Sequence, residues 1–240
     1  MKIMKLIAEK GKNRQAYRIP TIVFLGDSVT QGCFDIYMKT ETALETYFDR
    51  NSAYHTYIAE MLAELFPEAP VAVINAGISG DSAPGGLARL ERDVLSYKPD
   101  LTVVCFGLND SGRGIDGIPD YSKALRGIFT RLNEAGGEVI FMTPNMMNTN
   151  VSCHTKEPLF VRIAEDCARR QNEGVMDAYM DAARAVATEC GVKICDVYAK
   201  WKAMQAHGAD ITELLANKIN HPTKNMNRLF AYSLIDTMFS

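Results

Sequence analysis

Short runs of apolar residues recur along this chain, and longer segments with helical spacing separate them. Five runs predict strands, at Thr21–Leu25, Val71–Asn75, Leu101–Phe106, Glu138–Met142 and Val192–Asp196. The first run contains only β-branched and apolar residues, which is typical of a strand buried on both faces. Because strands alternate with helices, we predict an α/β fold, a flavodoxin-like three-layer α/β/α sandwich with a five-stranded parallel sheet. The strand order 2-1-3-4-5 suits that arrangement, although periodicity does not determine it.

The segments between the strands carry apolar stripes at helical spacing. Ser52 is a candidate N-cap for the first helix, and Pro67 stops it. Further helical segments are predicted around the stripes from Leu87 to Leu95 and from Tyr121 to Leu132, from about Pro158 to Cys190 with a break near Gly174, and from Asn225 to Phe239.

Composition narrows the class of protein. No linker or shift in composition divides the 240 residues, so we predict one domain spanning residues 1–240. With 47% hydrophobic residues the chain can bury a sizeable core. A net charge of -3 argues against a nucleic-acid partner, which would require clustered Lys and Arg. No apolar run approaches the roughly 20 residues needed to cross a bilayer, so no membrane partner is expected.

The chain start and the cysteines indicate a cytoplasmic location. The basic N-terminus lacks the long apolar core of a secretion signal, because Glu9 and Lys10 interrupt it. None of the six cysteines forms a C-x-x-C pair, so zinc and redox motifs are not supported. Reduced thiols fit the cytoplasm better than a disulfide framework does.

Three of the predicted strands end in polar or glycine-rich turns, which parallel pairing would bring to one end of the sheet. The turns are Gly26-Asp27-Ser28, Asn75-Ala76-Gly77-Ile78-Ser79-Gly80-Asp81 and Gly107-Leu108-Asn109-Asp110. In open α/β sheets the functional crevice lies outside the carboxyl ends of the strands. Ser28 is therefore a candidate nucleophile. The backbone N–H groups of Ser28 and Gly77 and the side-chain amide of Asn109 are candidate donors to an oxyanion.

A serine nucleophile needs a base, and the chain has four histidines. His221 precedes Pro222 in a loop before the last helix, a rigid and accessible setting, and it is the predicted base. His55 belongs to the first predicted helix and is expected at the surface or in packing. His207 lies at a helix C-terminus, where a cation is favourable. His154, in a polar loop, is a weaker candidate.

Together these residues resemble the SGNH hydrolases, also called GDSL-type esterases and lipases. Gly26-Asp27-Ser28 with Gly32 is similar to the first block of that family, and Gly77, Asn109 and His221-Pro222 are similar to the later ones. The resemblance runs from Gly26 to Pro222 in the order of the family. It implies a serine esterase that uses no metal and no cofactor.

The sequence departs from the family in one place. Members usually carry an aspartate three residues before the histidine, and Lys218 stands there in this chain. Asn217 or Asn220 can orient the ring by a hydrogen bond, Asp210 can do so if the loop folds back, and a backbone carbonyl is a further alternative. Loss of the carboxylate weakens stabilisation of the imidazolium without abolishing general-base catalysis.

Two long connections are expected to shape the substrate pocket, residues 33–51 and 145–158. Their mixture of polar and aromatic residues, with Tyr37, Tyr47 and Met146 among them, favours a small ester on a sugar over a long acyl chain. We therefore predict an esterase that removes acetyl groups from carbohydrates. The alternatives are a lysophospholipase or thioesterase for longer acyl groups, and a carbohydrate-binding relative without catalysis.

Overall fold

A five-stranded parallel sheet forms the centre of the computed structural model, which describes residues 1–240. The chain has seven strands: β1 (Thr21–Gly26), β2 (Cys33–Met38), β3 (Leu44–Phe48), β4 (Ala72–Gly77), β5 (Leu101–Cys105), β6 (Glu138–Met142) and β7 (Lys193–Cys195). The parallel sheet has the order β4-β1-β5-β6-β7. All five predicted strands are present, and their order is the predicted 2-1-3-4-5.

Ten helices surround the sheet: α1 (Lys2–Lys12), α2 (Ser28–Gln31), α3 (Tyr54–Leu65), α4 (Ala83–Ala88), α5 (Leu90–Asp93), α6 (Ile118–Glu134), α7 (Pro158–Asn172), α8 (Val175–Glu189), α9 (Val197–Ala206) and α10 (Lys224–Phe239). Helix α3 packs against α10, whereas α6 packs against α4 and α8. The sheet and its flanking helices make the expected three-layer sandwich, and 56 buried residues form a continuous hydrophobic cluster between the layers. No helix combines the length and the apolar character that crossing a membrane requires.

The helix boundaries confirm some predictions and correct others. Gly174, at a φ of 80°, separates α7 from α8, as the predicted break requires. Ser52 does not cap α3, because the N-cap residue is Ala53; the hydroxyl of Ser52 donates to the carboxylate of Asp49. The stripe from Leu87 to Leu95 is not one helix but falls across the short helices α4 and α5 and a 3-10 turn.

Helix α1 was not predicted from the sequence. Its apolar side chains Ile3 and Ile7 are buried in the core. The carboxylate of Glu138, the first residue of β6, accepts hydrogen bonds from the backbone N–H groups of Lys2 and Ile3. The helix is thus held by a carboxylate at its N-terminus, where the helix dipole favours negative charge.

The predicted connection 33–51 contains an antiparallel hairpin, β2–β3, which is separate from the parallel sheet. Its apolar side chains Tyr37, Leu44 and Tyr47 are exposed. The hairpin therefore does not contribute these side chains to the core, and its sequence lacks the continuous apolar run that marks the central strands.

A buried arginine fixes the carboxyl ends of β1 and β4. Arg89, which is 8% exposed, donates to the carbonyl of Gly26 at 3.0 Å and to that of Ala76 at 2.6 Å. Its Nε donates to Asp81, in the turn after β4, at 2.7 Å. One guanidinium therefore joins two strand ends and the turn that follows one of them.

We expect Arg89→Met to reduce the free energy of unfolding by about 3–5 kcal/mol, because breaking a buried ion pair leaves an uncompensated buried charge. Urea unfolding followed by circular dichroism measures the change. Arg92→Met is the matched control, since Arg92 forms an ion pair as well, with Asp93, but its side chain is 74% exposed. An equal loss of stability in both variants would contradict the role given to the buried guanidinium.

Candidate active site

Ser28 lies at the carboxyl end of β1, the strand at which the order of the sheet reverses. The neighbours of β1 are β4 on one side and β5 on the other, which makes this the switch point where α/β sheets bind ligands. Asp27 caps the short helix α2 by accepting a hydrogen bond from the N–H of Val29 at 3.0 Å. Ser28 is the first residue of α2, so its N–H has no partner within the helix.

His221 lies against Ser28 although 193 positions separate them. Its Nε2 is 2.8 Å from the Oγ of Ser28. Both side chains are mostly buried, with 7% of Ser28 and 2% of His221 exposed. The structure therefore brings the predicted nucleophile and the predicted base into hydrogen-bond contact.

The loop that carries His221 is held by the segment after β6. The side-chain amide of Asn145 donates to the carbonyl of Asn220 at 2.8 Å, and the N–H of Asn148 donates to the carbonyl of Ile219 at 2.8 Å. Met146 and Met147 between them are buried in the core. This part of the predicted pocket region therefore supports the histidine loop rather than lining a pocket.

The other ring nitrogen of His221 faces an amide. Nδ1 is 3.2 Å from the Nδ2 of Asn217, and the Oδ1 of Asn220 accepts from the same Nδ2 at 3.0 Å. Asp210 instead accepts from the backbone N–H of Thr212 and does not bond to the ring. Of the three side chains predicted to orient the histidine, Asn217 is the one in contact with it.

Lys218 occupies the position where the family carries its aspartate, and its side chain turns away from the histidine. Its ammonium binds the carboxylate of Glu213 at 2.8 Å, and its backbone adopts a φ of 57°. His221 consequently has no carboxylate partner. Burial lowers the pKa of His221 to about 4, and no nearby charge opposes that effect.

Gly77 is a tightly packed end of β4. A Cβ at Gly77 would lie 2.3 Å from the backbone nitrogen of Gln31, so a side chain cannot be accommodated there. Its N–H already donates to the Oδ1 of Asn75 at 2.9 Å. The N–H group that was predicted to bind an oxyanion is therefore already used in a hydrogen bond to Asn75, within the end of β4.

The turn after β4 offers another N–H, that of Gly80, which makes no hydrogen bond. Gly80 has a φ of 77°, and a Cβ built on it would meet nothing within 4 Å. Its neighbours are fixed on both sides, because Ser79 donates to the side chain of Gln31 in α2 and Asp81 accepts from Asn109. Sequence reasoning missed Gly80, and the signal available was a second glycine three positions beyond the end of the strand.

Asn109 follows β5, next to β1 in the sheet. One N–H of its side-chain amide donates to the carbonyl of Asp81 at 2.8 Å, which leaves the second N–H free. The predicted donor is thus fixed in orientation by the turn that contains Gly80.

Three carboxyl groups surround these turns. Burial raises the pKa of Asp27 to about 7 and that of Asp110 to about 6, and the negative charge of Asp81 adds to both shifts. Asp110 caps α4 by accepting from the N–H of Ala83 at 2.9 Å, while Asp81 binds Arg89. Asp27 and Asp110 therefore hold their protons closer to neutral pH than ordinary aspartates do.

The other three histidines, His55, His154 and His207, make no hydrogen bond to Ser28, whose hydroxyl bonds only to His221. His55 is buried, not at the surface, and its Nε2 is 2.9 Å from the side-chain nitrogen of Asn75. His207 is exposed, and its Nδ1 lies 2.8 Å from the carbonyl of Ala203 at the end of α9. No group of His, Cys, Asp or Glu side chains is arranged to hold a metal ion.

Two cavities can be compared with the position of Ser28 and His221. One, of about 750 Å³, is lined by residues at the amino ends of β5 and β6 and includes neither Ser28 nor His221, so it lies apart from the site. A second cavity, of about 480 Å³, lies between the β2–β3 hairpin, residues 154–157 and the histidine loop. Tyr37 from the first predicted pocket region and His154 from the second both line it, so the two regions meet beside the loop of His221.

Known proteins resemble this chain in sequence and in structure. An acetylxylan esterase of Geobacillus stearothermophilus is 25% identical over 167 residues, which are 65% of this chain and 74% of that protein. A two-domain esterase active on acetylated mannans superimposes on this chain with a TM-score of 0.69 and is 19% identical to it. The superposition covers 99% of this chain but only 52% of the two-domain esterase. The acetyl xylan esterase AlAXEase has a TM-score of 0.66 at 23% identity, covering 90% of this chain and 98% of its own. At these identities the structures establish the shared fold.

The family follows from a match over most of the chain. The model of the GDSL-like lipase/acylhydrolase family matches residues 24–229, which include every residue brought together around Ser28. This chain belongs to the GDSL-like lipase/acylhydrolase family and is a carboxylic ester hydrolase.

Proposed function

We propose that this protein is a serine esterase that removes acetyl groups from carbohydrates through an acyl-enzyme intermediate. The contact of 2.8 Å between the Oγ of Ser28 and the Nε2 of His221, at the carboxyl end of β1, carries the proposal. A nucleophile within hydrogen-bond reach of a base is the arrangement that acyl transfer requires.

In the first half of the reaction, the Oγ of Ser28 attacks the ester carbonyl while His221 takes the hydroxyl proton. The negative oxygen of the tetrahedral intermediate accepts hydrogen bonds from the N–H of Ser28 and the free amide N–H of Asn109. We assign the third donor to Gly80 rather than Gly77, because the Gly77 N–H is already bonded to Asn75. Preorganised donors of this kind each contribute about 10²–10³-fold to kcat.

The bond between the acetyl carbon and the sugar oxygen then breaks while His221 gives its proton to that oxygen, so the sugar leaves with a free hydroxyl and the acetyl group stays on Ser28. In the second half, water gives a proton to His221 and attacks the acyl-enzyme. The tetrahedral intermediate that results collapses, acetate leaves, and His221 returns the proton to the Oγ of Ser28. Every step uses groups of this chain and the two substrates, ester and water.

The surroundings of the site support a small acyl group and a polar alcohol. The cavity beside the histidine loop is bordered by charged side chains, including Asp35, Lys156 and Glu157, and by the aromatic ring of Tyr37. Such a lining suits a sugar better than an alkyl chain, since aromatic rings pack against sugars and charged groups bind their hydroxyls. The similarity to an acetylxylan esterase points to the same class of substrate.

The proposal includes the compartment, the domain organisation and the partners of the protein. We place it in the cytoplasm, where the six cysteines, all free in the structure, would stay reduced. We also treat residues 1–240 as one domain, in keeping with the continuous core. Carbohydrate esters are its proposed partners, and neither nucleic acid nor a membrane is among them.

A fluorophosphonate probe should label the protein, and Ser28→Ala should abolish labelling, because only an activated serine reacts with it. Mass spectrometry of the labelled peptide gives the position. Ser79→Ala is the matched control: its hydroxyl lies nearby but has no hydrogen-bond partner, so labelling should persist. A parent protein that never labels would favour a relative that binds carbohydrate without catalysis.

A series of p-nitrophenyl esters should show preference for the acetyl group, with kcat/KM at least tenfold higher for acetate than for hexanoate. The physical reason is the charged and polar lining of the cavity beside the histidine loop, which offers a longer alkyl chain few apolar contacts. Acetylated xylo-oligosaccharides are then assayed for acetate release. Preference for hexanoate or longer esters would instead identify a lysophospholipase or thioesterase.

The pH dependence of kcat/KM should show an acid limb near pH 4. His221 accepts a proton only while it is neutral, and burial lowers its pKa to about 4, so activity should rise with pH through 4 and be level by pH 6. Hydrolysis of p-nitrophenyl acetate from pH 3.5 to 8 measures the limb. Asp27→Asn, which keeps a capping side chain, separates any limb near pH 7 that belongs to Asp27. An acid limb at pH 6.5 in both proteins would contradict the assignment.

A further inference from the structure

The orientation of the Asn217 amide is fixed by the backbone around it. Its Oδ1 accepts hydrogen bonds from the N–H groups of Ile219 at 3.0 Å, Asn220 at 2.9 Å and His221 at 2.9 Å. Turning the amide over would aim its NH₂ group at three N–H donors and leave all of them without an acceptor. The NH₂ group must therefore face the side chains of Asn220 and His221.

This orientation determines where His221 carries its proton. An amide NH₂ group is only a donor, so at 3.2 Å from Asn217 the Nδ1 of His221 must act as the acceptor. In a neutral imidazole one nitrogen accepts and the other donates. The proton of His221 consequently lies on Nε2, which donates to the Oγ of Ser28.

That tautomer is the opposite of the one a general base needs, because Nε2 must have a free lone pair to take the proton of Ser28. In serine hydrolases with a complete triad, a carboxylate accepts from Nδ1–H and so keeps Nε2 free. Replacing that carboxylate by an amide in such an enzyme lowers kcat by about 10⁴-fold through the wrong tautomer. In this chain the natural sequence places an amide, that of Asn217, beside Nδ1, and Lys218 supplies no carboxylate.

We propose that Asn217 is a positioning residue that holds His221 with its proton on Nε2. On the function proposed above, each turnover first requires the ring to lose the Nε2 proton and gain one on Nδ1. That shift places the Nδ1–H against the Asn217 amide, which has no acceptor to offer it. The histidine loop therefore lowers kcat by holding His221 in the unproductive tautomer, and a carboxylate at position 217 would raise kcat by stabilising the productive one.

Asn217→Asp tests the proposal with a single change of atom. One oxygen of the aspartate keeps the three backbone hydrogen bonds, and the other accepts from Nδ1–H. The side chain of Asn220 makes no hydrogen bond other than the one that it accepts from Asn217, so it can turn its amide to donate to the new carboxylate. We expect kcat for p-nitrophenyl acetate to rise at least tenfold with KM within about twofold. The acid limb should move above pH 4, because a carboxylate stabilises the imidazolium.

Asn220→Asp is the matched control. It adds the same charge to the same loop, but its carboxylate accepts from Asn217 and does not touch the ring. We expect the tautomer and kcat of this variant to remain within about twofold of the parent. A gain in kcat equal to that of Asn217→Asp would overturn the proposal, since the effect would then come from charge alone.

Imidazole ¹⁵N NMR at pH 7 measures the tautomer without reference to activity. Comparison with His221→Gln identifies the signals of His221 among the four histidines. The parent protein should show a protonated Nε2 and a bare Nδ1, and Asn217→Asp should show the reverse. A protonated Nδ1 in the parent overturns the proposal even if Asn217→Asp does not fold.

The two proposals fail in different ways. A parent that hydrolyses esters with Nε2 protonated, but gains nothing from Asn217→Asp, overturns the claim that the tautomer limits turnover. If neither protein labels with the fluorophosphonate probe while the NMR signals are as expected, the esterase function fails and the placement of the proton by Asn217 is supported.

Discussion

The hydrogen bond between Ser28 and His221 depends on the relative position of two strands that do not touch. Ser28 follows β1, whereas the loop of His221 is held by hydrogen bonds from Asn145 and Asn148, in the segment that follows β6. Strand β5 lies between β1 and β6, so the register of three parallel strands sets the distance between Ser28 and His221. Arg89 adds a second constraint by joining β1 to β4 at the same edge. The contact between Ser28 and His221 is therefore a property of the sheet and not of the two loops alone.

The sequence was most informative where burial dictated composition. Strands β1 and β5 are buried at every position except Thr21, so they appear in the sequence as runs of apolar and β-branched residues. Gly174, which has a positive φ, follows the end of helix α7, where a glycine is expected. The hairpin β2–β3 was not predicted because exposed strands need no such run. The cap at Ser52 failed for a different reason: Ser52 ends a 3-10 turn that begins at Arg50, and helix α3 begins two residues later, at Tyr54, with Ala53 in the N-cap position.

At the site, sequence reasoning identified groups better than it identified their hydrogen bonds. Ser28 and His221 are distinctive by chemistry and position, and the fold brings them into contact. The donor at Gly77 could not be evaluated from the sequence, because whether an N–H is free depends on the conformation of Asn75. The same holds for the histidine partner, where Asn217 rather than Asp210 reaches the ring. Spacing limits which side chains can approach, but the direction of each bond follows from the surrounding backbone donors.

Desolvation has opposite consequences for the two kinds of titrating group at this edge of the sheet. Burial lowers the pKa of His221 and thereby opposes the imidazolium that acyl transfer creates. Burial also raises the pKa of Asp27 and Asp110, so these acids carry less negative charge close to where an oxyanion would form. A fully ionised pair of carboxylates there would destabilise that oxyanion. The closed environment that weakens the base therefore favours the negative intermediate, and a carboxylate on the far side of the imidazole is the one charge that would stabilise the histidine cation without lying between it and the serine.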